Sequence, residues 1–212
     1  MTVRRPKGVL AIIVPLWLGW LVATTVVPPA QAGDADREED ADPRAEASKR
    51  FRQGVKLYND GDFVAALVEF KRAYELKPHY RVLYNLGQTS RGLKDYAAAL
   101  HAYEQYLEEG GTKLKPQRRK EVEGHVEDLT ARVGTLTVTT NVDGAEIQID
   151  DVVVGVSPLD EPIVVNVGRR RIVATLTGHA PARRVLEVAG TDELEVELEL
   201  TDLEADRPPS PV

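Results

Sequence analysis

The residues best suited to chemistry in this sequence are acidic side chains and histidines, and their spacing decides what they can do. Glu121, His125 and Asp128 recur at i, i+4 and i+7, which places them on one face of a helix, as a metal site requires. A solvated helix face with i,i+4 charge pairing has the same spacing, and we favour that interpretation. We therefore predict no metal at this helix.

A second acidic set, Asp143, Asp150 and Asp151, lies among turn residues. A calcium loop needs oxygen ligands at regular odd positions, which this set lacks, so we interpret these residues as solvated turns. The sequence also has no G-x-S-x-G, no H-E-x-x-H and no phosphate-binding glycine loop. We predict a protein that is not an enzyme, with no catalytic residues and no cofactor.

Composition excludes further classes of function. The chain has 212 residues, a net charge of −7 and no cysteine. The lack of cysteine excludes disulfides, thiolate metal sites and a cysteine nucleophile, and the acidic balance argues against a nucleic-acid-binding protein. At about 100–200 residues per domain, the length allows one domain or two small ones.

The first segment of the chain has the pattern of an export signal. A basic head precedes the uncharged residues 8–27, and Ala30-Gln31-Ala32 offers small residues where a signal peptidase reads them. We expect residues 1–32 to be a signal peptide; the alternative is an uncleaved signal anchor, because the apolar run is just long enough to span a bilayer. In both cases residues 33–212 lie outside the cytoplasm, either periplasmic or secreted, or held by a single pass in the inner membrane.

Two further segments are predicted to be disordered. Residues 33–44 are acidic and lack large apolar residues, which is typical of a solvated spacer. Residues 202–212 end in RPPSPV, where proline favours an extended tail.

Two segments between residues 45 and 133 align at an offset of 33 residues. Gly54 matches Gly87, and the following helix of each copy carries matching alanine and aromatic residues. A small residue lets a second helix approach closely, and an alanine and an aromatic four residues apart then fill the space between the pair. The pattern predicts helices at 45–58, 63–77, 80–91, 95–109 and 116–133.

This pattern resembles the tetratricopeptide repeat (TPR). The first copy supplies Gly54, Gly61, Phe63, Ala66, Phe70, Ala73 and Pro78, and the second supplies Leu86, Gly87, Tyr96, Ala99 and Tyr103. Tyr106 departs from the family pattern, which has a small residue there, and Leu57 stands where the family has tyrosine. The resemblance implies TPR-like repeats at about 45–78 and 80–110, with a capping helix at 116–133.

The concave face of such an array is formed by the first helix of each repeat, and the resemblance implies that it binds a partner. On the second copy, polar residues at i, i+3, i+4, i+7 and i+10 form one stripe, apart from the core positions. Together with matching residues of the first copy they make the predicted binding stripe: Arg52, Tyr58, Asn59, Arg81, Tyr84, Asn85, Gln88 and Arg91. Amides can pair with the backbone of an extended peptide and arginines with its carboxylates. Ordinary solvated helix residues are the alternative interpretation.

After Gly134 the periodicity changes from helical to alternating. Strand-like runs separated by turn signals predict a small antiparallel β-sandwich. The six runs are 135–140, 146–150, 163–167, 170–177, 183–188 and 193–200. The last run, ELEVELEL, alternates charged and apolar residues, so its leucines and Val196 should face the core.

This segment resembles the PEGA domain, a small extracytoplasmic β-module of bacteria. The Pro-Glu-Gly-Ala tetrapeptide that names the family appears as Val142-Asp143-Gly144-Ala145, which lacks the proline. Gly155, Ser157-Pro158, Gly168 and Gly178-His179 fit the later spacing of the family. The predicted fold class is therefore α + β multidomain, with a TPR-like helical array followed by a PEGA-like sandwich at residues 134–201.

Two functions are consistent with this organisation. The first is a non-enzymatic, extracytoplasmic protein–protein interaction or scaffolding module of the bacterial cell envelope, which binds a segment of a partner protein on the concave face. The alternative is an envelope-surface module whose β-domain contacts cell wall or glycan, with the helices as a spacer. Arg169-Arg170-Arg171 suits an anionic glycan, or else forms a charged edge that discourages strand pairing. We expect no nucleic-acid partner, and membrane contact only through residues 8–27 if the signal is uncleaved.

Overall fold

The computed structural model describes residues 42–203. These residues belong to one compact unit, residues 41–212. The predicted signal peptide or anchor, most of the acidic spacer and most of the predicted tail lie outside the described residues. Within the described range, no helix combines the length and the apolar character needed to cross a membrane.

Five α-helices form the first half of the described chain. They are α1 (Pro43–Asn59), α2 (Phe63–Leu76), α3 (Tyr80–Gly92), α4 (Tyr96–Gly110) and α5 (Pro116–Thr130). Asp62 and Asp95 begin α2 and α4 because their carboxylates accept the backbone N–H groups of Ala65 and Ala98, at 3.0 and 3.2 Å. Helix α1 starts two residues before its predicted start, since Asp42 accepts the Arg44 N–H at 3.0 Å.

Consecutive helices pack on one another, and the two matched glycines lie where the two helices of a pair come close together. A Cβ added at Gly54 would lie 2.7 Å from Phe70 Cε1, and one added at Gly87 would lie 2.6 Å from Tyr103 Cε1. Both aromatic rings are fully buried. The helical-repeat organisation predicted from the 33-residue offset is therefore confirmed, whereas the finer TPR assignment stays a prediction.

A β-domain of nine strands follows in the described chain. The strands are β1 (Val133–Thr140), β2 (Glu146–Ile149), β3 (Val152–Val156), β4 (Ile163–Asn166), β5 (Gly168–Thr175), β6 (His179–Ala180), β7 (Ala182–Val188), β8 (Glu193–Leu198) and β9 (Thr201–Asp202). They form a three-stranded sheet, β4-β1-β8, a four-stranded sheet, β3-β2-β5-β7, and the short pair β6-β9. Apolar residues of the two larger sheets, including Leu136, Ile147, Ile172 and Leu198, form one core. The predicted α + β architecture is confirmed.

Strand pairing differs from the prediction in one respect. All pairs are antiparallel except β1 and β8, which run parallel from Thr135↔Glu193 to Thr140↔Leu198. Alternation indicates which side chains face inward, but it carries no information about strand direction. The sequence analysis also missed β3 and the short β6–β9 pair, in which Asp202, predicted as the first residue of the tail, pairs with His179.

The β-domain packs against the helices through polar contacts at helix ends. Asn166 at the end of β4 accepts the backbone N–H of Ala97 at 2.8 Å and donates to the Asp95 carboxylate at 3.4 Å. The Val167 N–H donates to the Arg132 carbonyl, just beyond α5, at 3.1 Å. These contacts hold the β-domain at the start of α4 and the end of α5.

Candidate partner-binding face

Two residues of the predicted binding stripe contact α5, and a third binds one of these two. The Tyr84 hydroxyl donates to Glu121 Oε1 at 2.9 Å, and Gln88 Nε2 donates to the Tyr84 hydroxyl at 2.8 Å. Arg91 Nη1 lies 2.9 Å from His125 Nδ1. Helix α5 therefore covers this part of the stripe, and these three side chains take part in packing within the array.

The contact between α3 and α5 also determines the protonation state of His125. Burial and the neighbouring Arg91 lower the pKa of His125 below its usual value, so the ring is neutral at pH 7. Because an arginine has no acceptor, Nδ1 of His125 must accept from Arg91, which leaves the proton on Nε2. That nitrogen lies 3.9 Å from Glu121 Oε1.

The helix face considered as a metal site is occupied by these internal contacts. Glu121 accepts from Tyr84 and pairs with Arg118 at 2.9 Å, while the Arg118 guanidinium lies 4.5 Å from the centre of the Tyr84 ring. Across residues 42–203 no cluster of three or more His, Asp or Glu side chains is arranged to hold a metal ion. Burial and the Glu121 contact also raise the pKa of Tyr84, which stays protonated at neutral pH.

The other five residues of the stripe do not contact α5 through any hydrogen bond or ion pair within the described chain. Asn85 is half-buried, and its Nδ2 donates to the carbonyl of Arg81, one turn earlier in α3, at 3.0 Å. The half-buried Tyr58 ring packs on Phe63, with ring centres 5.3 Å apart. Asn59, Arg52 and Arg81 are exposed.

Arg52 and Arg81 line a cavity of about 380 Å³ between the start of α1, the end of α2 and the start of α3. Its apolar lining comes from Ala47, Phe51, Ala73 and Val82, and its polar lining from Arg44, Ser48, Arg52, Lys77, His79 and Arg81. We call this site the cationic pocket. Three arginines and one lysine line the cationic pocket, and no acidic residue lines it. Within the described chain, these four cations form no ion pair.

His79 is the histidine of the cationic pocket. Its Nδ1 accepts the backbone N–H of Arg81 at 3.2 Å, which begins α3. Partial desolvation of the ring and the nearby Arg81 charge lower the pKa of His79, so it adds no charge at pH 7. The pocket therefore carries four positive charges at neutral pH.

Sequence reasoning found Arg52 and Arg81 but missed the other polar residues of the pocket. The sequence analysis places Arg44 in the spacer and Lys77 at the end of a predicted helix. A usable signal was present, because Arg44 and Lys77 are also 33 residues apart and so occupy the same position in the two copies. The convergence of three helix ends is a tertiary feature that the spacing alone does not show.

In the β-domain, two of the three consecutive arginines are paired with acids. Arg170 Nη1 contacts Asp150 Oδ2 at 2.6 Å, and the Arg171 guanidinium contacts the Asp151 carboxylate. Asp150 and Asp151 form the turn between β2 and β3, with positive φ values of 49° and 70°. Asp150 and Asp151, which were considered as calcium ligands, thus neutralise two of the arginines considered for glycan binding. The cationic pocket is therefore the stronger candidate site.

Comparison with known families agrees with the β-domain assignment. Residues 133–204 match the family model of the PEGA domain. The match spans the β-domain and confirms the resemblance drawn from Gly144, Ala145 and the later glycines. No curated protein matches the chain.

Proposed function

We propose that this chain is an exported, non-enzymatic binding protein of the bacterial envelope whose TPR-like helical array binds an acidic, extended segment of a partner protein. The observation that carries the proposal is the cationic pocket, where an apolar floor is surrounded by four cations that form no ion pair within residues 42–203. The basic head and small-residue site before Gly33, together with the match to an extracytoplasmic type of domain, support the export.

The charge of the pocket indicates the chemistry of its ligand. Four like charges around one cavity repel one another, and no acidic side chain of the described chain lines that cavity. Carboxylates of a bound segment would relieve that repulsion, and arginine binds a carboxylate through two parallel hydrogen bonds. An apolar side chain of the same segment would pack on Phe51 and Val82, which line the floor.

Helix α5 determines which stripe residues take part. Tyr84 and Arg91 hold α5, and Gln88 binds the Tyr84 hydroxyl. The partner segment lies instead across the starts of α1 and α3, where Arg52 and Arg81 are exposed. Substituting Arg52 should therefore weaken binding with little effect on stability. Substituting Arg91 should lower stability with little effect on binding.

The test is to capture envelope proteins with residues 41–212, identify the bound segment and measure its affinity as a synthetic peptide. Losing one charge-assisted hydrogen bond costs about 1.5–3 kcal/mol, so Arg52→Ala and Arg81→Ala should each weaken binding at least about ten-fold. Arg72→Ala is the matched control, because Arg72 is an exposed arginine of α2 that pairs with Glu75. Affinity should also fall as salt rises, because the attracting charges are exposed.

One result would show that the β-domain, and not the helical array, binds the partner. If Arg52→Ala and Arg81→Ala leave the affinity unchanged, and captured material binds residues 133–203 alone, the cationic pocket is not the binding site. The helices would then act as a spacer, and the β-domain would make the contact with protein, cell wall or glycan.

A further inference from the structure

His79 is the residue of the cationic pocket whose charge can change near neutral pH. Its imidazole lines the cavity together with the four cations, so a segment bound there would lie beside it. The Nδ1 atom of His79 accepts the backbone N–H of Arg81 at 3.2 Å. Because only an unprotonated Nδ1 can accept a hydrogen bond, this contact requires the neutral form of the ring.

The charges around His79 are mainly positive and come from several elements of the described chain. The cations are Arg44 and Arg52 of α1, Lys77 just after α2, Arg81 of α3 and Lys113 shortly after α4. Glu109, near the end of α4, is the acidic residue that favours a proton on the ring. Partial desolvation of the ring, Arg81 and the two lysines outweigh Glu109, so the pKa of His79 lies below its usual value.

An acidic segment in the pocket would reverse this balance. Its carboxylates would neutralise the cations that disfavour a proton on His79, and one of them would accept a hydrogen bond from the imidazolium. Protonation also frees the Arg81 N–H in the first turn of α3, because Nδ1 no longer accepts it, and a ligand carboxylate can then accept that N–H. The Tyr80 ring, stacked on His79 with ring centres 4.7 Å apart, further stabilises the cationic ring.

We propose that His79 is a further binding residue of the cationic pocket and takes up a proton when an acidic segment binds, so that affinity rises as the pH falls from about 7.5 towards 5.5. This inference rests on the proposed function and specifies how the same site responds to pH. The sign follows from linkage, because a ligand that favours the proton is itself favoured by the proton to the same extent. The carboxylates of the ligand stay ionised in this range, since aspartate and glutamate have pKa values of about 4.

The probe for the test is the acetylated and amidated peptide Glu-Glu-Leu-Glu-Glu, which carries carboxylates on both sides of one apolar side chain. Calorimetry measures its Kd for residues 41–212, which form one compact unit, at about pH 5.5 and about pH 7.5 and at constant ionic strength. We expect binding to be at least about five-fold tighter at the lower pH. His79→Asn should remove most of this difference, because asparagine can still accept the Arg81 N–H as a helix cap but takes up no proton. His101→Gln is the matched control, since His101 is an exposed histidine of α4 that does not line the pocket, and it should keep the difference.

Two further measurements report the proton itself. Calorimetry in buffers of different ionisation enthalpy counts the protons taken up on binding, and this uptake should be present in the His101→Gln variant and lost in the His79→Asn variant. NMR titration of the His79 ring, with and without saturating peptide, should give a higher pKa in the complex. Because the NMR titration uses the unsubstituted protein, it remains decisive if His79→Asn does not fold.

The possible results separate this inference from the proposed function. If the peptide binds and Arg52→Ala weakens it, but the Kd is the same at both pH values, the proposed function stands and the role of His79 is wrong. The same conclusion follows if the pKa of His79 does not rise in the complex, or if His79→Asn keeps the pH dependence. If the peptide does not bind at either pH, or binds equally well to Arg52→Ala, the pocket does not bind acidic segments and both proposals are wrong.

Discussion

Because α3 and α4 approach closely at Gly87, we expect Gly87→Ala to destabilise the protein, whereas the control Gly124→Ala should stabilise it. Replacing glycine by alanine inside a helix normally stabilises a protein by about 1 kcal/mol. At Gly87 the new Cβ would lie 2.6, 2.7 and 2.9 Å from Cε1, Cδ1 and Cζ of Tyr103. Ordinary carbon contacts are about 3.5–4.0 Å, so the overlap is roughly 1 Å.

The Tyr103 ring has little room to move away. It is fully buried, and the rings of Tyr84 and His125 lie 6.1 and 5.3 Å from it, centre to centre. Overpacking of this kind costs about 1–3 kcal/mol, which cancels or exceeds the helical gain. Gly87→Ala should therefore lower the free energy of unfolding by up to about 2 kcal/mol, whereas Gly124→Ala in α5, with nothing within 4 Å of the added Cβ, should raise it by about 1 kcal/mol.

Urea unfolding of residues 41–212 measures both variants under the same conditions. A double-mutant cycle with Tyr103→Leu isolates the contact, because leucine lacks the ring atoms that Gly87→Ala would meet. In the Tyr103→Leu background, Gly87→Ala should lose most of its penalty. The reasoning fails if Gly87→Ala stabilises as much as Gly124→Ala, or if its cost is the same with and without the Tyr103 ring.

Three further predictions concern pH, the domain contact and export. The lowered pKa of His125 means that the unfolded chain takes up the proton first, so stability should fall as the pH drops from about 7 towards 5. His125→Gln should flatten this slope in melting curves, with His79 accounting for a remainder; an unchanged slope contradicts the assignment. Asn166→Ala should lower the free energy of unfolding by about 1–3 kcal/mol and speed hydrogen exchange at the Ala97 amide. Unaltered exchange would show that this contact does not hold the helices and the β-domain together. The exported protein should begin at Gly33 by mass spectrometry, whereas an intact Met1 in a membrane fraction indicates the anchor.

The helices were predictable from the sequence because their signals are local. Asp62 and Asp95 cap α2 and α4, and Pro116 begins α5, so each start is encoded within a few residues. The repeat offset also identified the glycine and aromatic pairs that touch. The largest error at a helix end, three residues in α5, arose because Val133 pairs with Asn166 as the first residue of β1, a contact distant in sequence.

The β-domain and the candidate site were less predictable because they depend on such distant contacts. Strand β3 was missed because Val152–Val156 does not alternate and is interrupted by Gly155. The neutralisation of Arg170 by Asp150 joins residues of different strands, and spacing along the chain gives no sign of it. The coverage of Tyr84 by α5 likewise joins residues 37 apart.

The location of the cationic pocket follows from the way in which the helical array ends. A repeat array exposes an apolar face at each terminus and needs a cap to cover it. Here α5 and the β-domain cover the last repeat, where Tyr84 and Arg91 bind α5 and Asn166 binds the start of α4. This cap takes up the later part of the binding stripe. The surface left for the proposed partner is therefore at the start of α1 and α3, where Arg44 and Lys77, 33 residues apart in the sequence, line the cationic pocket with Arg52 and Arg81.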